Sequence, residues 1–129
     1  MTIEQLKTKH GQELDTTMLN AIKARYRLSS HAIEQLRKRS LYLSENNGFI
    51  NFAETKVNIN KAIDSNILAY YNTDGSVNIA IDKFHYFVFA YNEFYSSWTL
   101  VTYKETSWYG IDIYQKRQMA IDGFDRQYK

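Results

Sequence analysis

Four residues on the stretch Ser29–Arg39 have types and spacing that suit chemistry: His31, Arg37, Lys38 and Arg39. Metal-free cleavage of RNA needs a base for the 2′-hydroxyl, an acid for the leaving oxygen, and cations for the phosphorane. His31 can act as base or acid, with Arg39 and Lys38 as the stabilising charges. The same residues also make ordinary helix ends. An imidazole stands in the first turn, and three cations stand in the last, where the helix dipole favours positive charge. On the residues alone the two readings stay open. His85 lies inside the apolar run Phe84–Tyr91 and reads as a sheet-face or core histidine, while His10 beside Gly11 reads as a loop or helix-end residue. The three histidines have no metal-ligand spacing, and H-E-x-x-H, EF-hand, nucleophile-elbow and phosphate-loop patterns are missing. The absence of Cys excludes a disulfide framework, a thiol nucleophile and a cysteine zinc site. No metal and no cofactor is expected.

The elements that must position these residues follow from periodicity. Ser29 and Ser30 precede Ala32, Ile33 and Leu36, an apolar stripe at helical spacing behind two capping hydroxyls. Upstream, residues 2–9 predict a short helix stopped by Gly11. Leu14, Met18, Ile22 and Tyr26 recur every four residues and predict a second helix over Asp15–Arg27. Two antiparallel helices joined by a short connection are the simplest geometry. Residues 44–48 are turn chemistry, Phe49–Phe52 a short strand, and Val57–Ile63 a short helix. From Ile67 an antiparallel meander is expected: Ile67–Asn72 and Ser76–Ile81 around Asp74-Gly75, then Phe84–Tyr91 as a central strand and Trp98–Lys104 as the last. Alternation of Val77, Ile79 and Ile81 with Asn78 and Asp82 predicts one dry face there. Tyr109–Ile121 reads as a terminal helix ended by Gly123. The fold class is α+β: N-terminal helices on a four-stranded or larger antiparallel meander, with a C-terminal helix.

The chain of 129 residues reads as a single domain, with a helical part over 1–43, a sheet part over 49–104 and a terminal helix over 109–123. A net charge of +2 does not announce a nucleic-acid binder, but its distribution is uneven. Residues 1–39 hold eight Lys/Arg against four Asp/Glu, and residues 40–103 hold three against six. Arg25, Arg27, Arg37, Lys38 and Arg39 are therefore the candidate nucleic-acid contacts. Eleven Tyr and seven Phe raise the expectation of a partner. Tyr95, Trp108 and Tyr109 stand in or beside turns, where burial is less assured, and are the candidate partner contacts; Trp98 is expected to face the core. The first ten residues lack an apolar segment, so no signal peptide is expected. No apolar run reaches the length of a membrane span, so no membrane contact is expected and the cytoplasm is the expected location.

His31-Ala32 and Arg39, on a helix before a β-meander, resemble the pattern H-A-x-x-R-x-x-x-R of a family of small bacterial and phage domains. That family is similar to the ribonuclease-like fold of barnase, colicin nucleases and RelE-type toxins. The resemblance covers roughly residues 28–104. It implies an RNA-cleaving scaffold with His31, Arg39 and Thr102 as catalytic residues, Thr102 facing the cleft from a late strand. The first arginine of the pattern falls on Gln35 here, which can hydrogen-bond a phosphate but cannot neutralise it. The expected function is accordingly a small non-catalytic binding protein. One form would be an inhibitor from a phage or mobile element, directed at a host nucleic-acid machine such as a CRISPR nuclease. A toxin-type ribonuclease is the alternative. The partner would be a protein, a nucleoprotein or RNA.

Overall fold

The run Phe84–Tyr91 is apolar at both parities, and the structure buries both faces of its middle, Tyr86–Phe89. The structure is a computed structural model and describes residues 1–39, 42–105 and 113–122. In chain order the elements are α1 (Ile3–Lys7), α2 (Thr16–Ala24), β1 (Tyr26–Leu28), α3 (Ser30–Arg39), β2 (Glu45–Asn46), β3 (Phe49–Ile50), α4 (Phe52–Asp64), β4 (Leu68–Tyr71), β5 (Val77–Ala80), β6 (His85–Asn92), β7 (Ser97–Glu105) and α5 (Ile113–Ile121). The protein is α+β. Its main sheet has the order β1-β7-β6-β5-β4, antiparallel throughout except for the parallel β1–β7 pair. β6 is the middle strand, as its sequence requires. The Asp74-Gly75 turn joins β4 to β5, with Gly75 at φ +86° and close against α1, where its hydrogen faces Ile3 and Leu6.

The first face of the sheet carries the main core. Phe87, Phe89, Trp98, Leu100 and Tyr103 pack there against Ile22 of α2, Ala32 and Leu36 of α3, and Ile59 and Ile63 of α4. Trp98 is core-facing as expected, with 3% of its surface exposed. The second face holds a smaller cluster: Leu68, Tyr70, Ala80, Tyr86 and Val88. α5 lies on this side, with the Lys116 ammonium 5.3 Å from the centre of the Tyr86 ring.

Several sequence expectations are corrected. The helix expected over Asp15–Arg27 ends at Ala24, and Tyr26 belongs to a strand. Its ring packs edge-on to Phe89 at 5.2 Å, and its hydroxyl donates to Asn60 at 3.0 Å. Long-range packing thus overrides the four-residue period, and the two helices are separated by β1 rather than joined directly. The helix expected over Val57–Ile63 starts earlier, at Phe52, because the Asn51 side chain accepts from the Glu54 N–H at 3.0 Å. The strand expected over Phe49–Phe52 is only Phe49–Ile50, paired with β2 across Asn47-Gly48. β5 is buried on both faces, not one, and Asn78 is fully enclosed. Its polar atoms are met inside the protein: its amide donates to Tyr70 Oη at 2.8 Å, and its carbonyl accepts from Asn72 at 2.7 Å. No described helix is long and apolar enough to cross a membrane.

Candidate functional site

His31 and Thr102 come together through one bulge and one serine. Val88 pairs with Thr102 and Phe89 with Leu100, so Val101 has no opposite residue on β6. The extra residue turns Leu100 to the first face and Thr102 to the second. The Ser29 hydroxyl donates to the Val101 carbonyl at 2.8 Å and accepts from the Ala32 N–H at 3.0 Å. The Ser29 N–H donates to the Leu100 carbonyl at 3.1 Å. One side chain therefore caps α3 and fastens its first turn to the bulge. His31, in that turn, is carried to the second face beside Thr102.

There the two residues line a groove of about 340 Å³ with Asp74, Ser76, Val88, Ala90, Val101 and Lys104. The Ser76 hydroxyl donates to Asp74 Oδ1 at 2.5 Å and accepts from Asn72 Nδ2 at 3.0 Å, so the groove's hydroxyl is fixed in direction. From Ala90 the open part of the second face continues sideways. Ala90 pairs with Thr99, and Thr99 pairs with Arg27. Directly paired residues share a face, and strands lie ~4.8 Å apart, so the Arg27 backbone is about 10 Å from the groove rim. Thr99 and Ala90 are half-buried, and Arg27 is exposed. Arg25 precedes it by two residues in extended backbone and is also exposed, with Tyr26 buried between them. The Arg27 guanidinium lies 5.9 Å from the centre of the Tyr95 ring. The Phe94 and Tyr95 rings stand nearly perpendicular, with their centres 4.8 Å apart. These two rings, at the β6–β7 turn, are 87% and 56% exposed.

The rest of the basic set is placed elsewhere. Arg39 stands eight residues after His31, ~12 Å along the helix axis, and is ion-paired with Glu105. The structure thus brings His31 and Thr102 together and does not bring Arg39 to them. Arg37 is held by Glu45, with Nε donating at 2.8 Å and Nη2 at 2.5 Å. Lys38 is exposed at the end of α3.

Around Arg39 the fold assembles a cluster that sequence reasoning missed. His85 Nδ1 lies 2.7 Å from Asp82, its Nε2 lies 3.7 Å from Glu105, and its ring stacks on Tyr103. Burial alone would raise the Asp82 pKa. The backbone N–H groups of Phe84 and His85 and the His85 ring outweigh it, and the carboxyl titrates below the ordinary aspartate range. Burial pushes the Tyr103 hydroxyl up, helped by Tyr42 and Asp82, while Arg39 pulls it back. The Tyr42 hydroxyl is raised by burial too, against the opposing hydrogen bond with Tyr103. Both phenols stay neutral near pH 7. With each nitrogen of His85 facing a carboxylate, the cluster ties the β5–β6 turn to the end of β7. The only local signal for it is Asp82 three residues before His85, a turn-capping spacing; Arg39 and Glu105 join from afar.

Among the described residues no group of His, Cys, Asp and Glu could hold a metal ion. Trp108 and Tyr109, with the Tyr109–Asp112 part of the expected helix and its stop at Gly123, lie outside the described residues. Comparison with family models, with curated proteins and with solved structures finds no match for this chain.

Proposed function

We propose that this is a non-catalytic binding protein that meets its partner through the Arg27–Tyr95 corner and the open part of the second sheet face. The observation that carries the reading is the exposure of Phe94 and Tyr95, at 87% and 56%, on a turn between the two longest strands. Adjacent aromatic rings held in water on a rigid support are typical of interface anchors. Inhibition of a nucleic-acid machine fits such a face, which would act by occupying a surface rather than by turning over a substrate. The test is a photo-cross-linking residue at position 94 in cells, with position 61 on α4 as control. A partner is expected from position 94 alone, and Phe94→Ala with Tyr95→Ala should change stability by no more than about 1 kcal/mol. Equal capture from both positions, no capture, or a loss of several kcal/mol would overturn the reading.

A toxin-type ribonuclease is the second reading, favoured by the shared groove of His31 and Thr102. Arg39 is not at that groove, so phosphorane stabilisation would have to come from another cation. Labelled RNA incubated with wild type and His31→Ala decides it. An enzyme should lose roughly 10²-fold or more on losing its acid–base group, and wild type that leaves RNA intact ends this reading.

A further inference from the structure

The open part of the second face is a strip with three chemical features in order. Arg27 on the edge strand β1 and Arg25, in extended backbone just before that strand, come first, two residues apart. Phe94 and Tyr95 stand beside them, with Tyr95 under the Arg27 guanidinium. The groove of His31 and Thr102 follows across Thr99 and Ala90. We infer that this strip binds single-stranded nucleic acid: backbone phosphates at Arg25 and Arg27, one base stacked on Phe94, and a neighbouring nucleotide in the groove. The inference rests on the binding-protein reading and names the ligand of that same face.

Charge and ring geometry favour this ligand. Arg25 and Arg27 have no carboxylate partner among the described residues, whereas Arg37 and Arg39 are taken up by Glu45 and Glu105. Of the five candidate cations, Arg25 and Arg27 around the start of β1 and Lys38 at the end of α3 are exposed and without a carboxylate partner among the described residues, and only the first two lie beside the aromatic rings. Tyr95 keeps Arg27 in place, which lowers the ordering cost of a phosphate contact. The Phe94 ring stands at 86° to that of Tyr95 and is 87% exposed, so it keeps a face open to a flat partner. A base stacks on a side-chain ring only when it has left its own stack, which selects single strands over duplex. An acidic peptide would use the arginines but leave the Phe94 ring without a matching group.

The test is fluorescence anisotropy with a labelled oligo(U) of about 12 nucleotides, within the usual span of a single-strand site, against a duplex of equal length. The single strand should bind more tightly. With two phosphates neutralised, log K should fall against log salt with a slope of about −1.4, rather than about −3.5 if all five candidate cations took part. Arg27→Ala should remove about 0.7 of that slope, and Phe94→Ala should weaken binding about tenfold, the lower range for a lost base stack. Arg37→Ala, with its residue already paired, should stay within about twofold of wild type. Urea midpoints of every variant separate lost contacts from lost folding. Equal affinity for duplex, a cost at Arg37 matching that at Arg27, or no oligonucleotide binding at low salt would overturn the inference. If no oligonucleotide binds while position 94 still cross-links a protein, the ligand is wrong and the binding reading stands. If position 94 captures nothing, that reading falls with it.

Discussion

Asp82 shows how one residue's surroundings set its chemistry. Its carboxylate accepts from the Phe84 and His85 N–H groups, each at 2.8 Å, and faces the His85 ring. These partners favour the charged form, so the folded protein binds a proton there less readily than the unfolded chain does. The stability it contributes is complete above the ordinary aspartate value of ~3.9 and is lost as the pH falls through the lowered folded value. The carboxylate is half in solvent, so solvent screening keeps the contribution modest. Asp82→Asn keeps an oxygen for the two N–H groups and removes the charge. The variant's urea midpoint, followed from pH 6 to about pH 3, should decline less steeply than that of wild type. Parallel curves would show that the carboxylate has no electrostatic role in the fold.

At the scale of elements, Ser29 is the joint between α3 and β7. Its hydroxyl serves the Ala32 N–H and the Val101 carbonyl together, and α3 delivers His31 from that joint. Losing an N-cap costs about 1 kcal/mol, and leaving a part-buried carbonyl without its partner adds about 1 kcal/mol or more. Ser29→Ala should therefore lower stability by about 2 kcal/mol in urea unfolding, while Ser30→Ala, with its side chain exposed, should cost less than about 0.5 kcal/mol. Equal losses at the two serines would mean that the joint does not depend on this hydroxyl. A second consequence is positional: amide spectra of Ser29→Ala should change around Thr102 on β7 as well as in the first turn of α3.

Across the whole molecule, the second layer closes at Gly11. The Gly11 N–H donates to the Tyr71 carbonyl at 2.8 Å on the outer edge of β4, and its own carbonyl accepts from Arg117 of α5 at 2.6 Å and 3.0 Å. Residues 11–14 thus cover a sheet edge that would otherwise stay open to other strands, and they dock α5 on the same spot. Gly11 has φ +79°, and an added Cβ would stand 2.6 Å from the Ile121 side chain. Gly11→Ala meets both a disfavoured backbone conformation and that contact. It should destabilise by more than about 1 kcal/mol, and protease cleavage within α5 should speed up. A neutral outcome would show that α5 shifts without cost to the fold.

Much of this protein is local. The helical stripe after Ser29, the Asp-Gly hairpin, the doubly apolar run around Phe87 and the α+β class all follow from spacing, because helix and strand periods are properties of neighbouring residues. The chemistry-bearing types were visible for the same reason, as were the place of Tyr95 in or beside a turn and the core position of Trp98. What tertiary structure decided is which of them meet. β1 exists because Tyr26 finds Phe89 and Asn60, and that strand puts Arg27 in the row with Thr99 and Ala90. The bulge at Val101 turns Thr102 away from Leu100 toward His31, against the simple alternation in which both would share a face. Glu45 and Glu105 claim Arg37 and Arg39, partners 8 and 66 residues distant in the chain. A periodic pattern records what lies one turn or two residues away; pairings between strands and ion pairs between distant segments leave no such record, and they fix where this protein's accessible charge and aromatic surface lie.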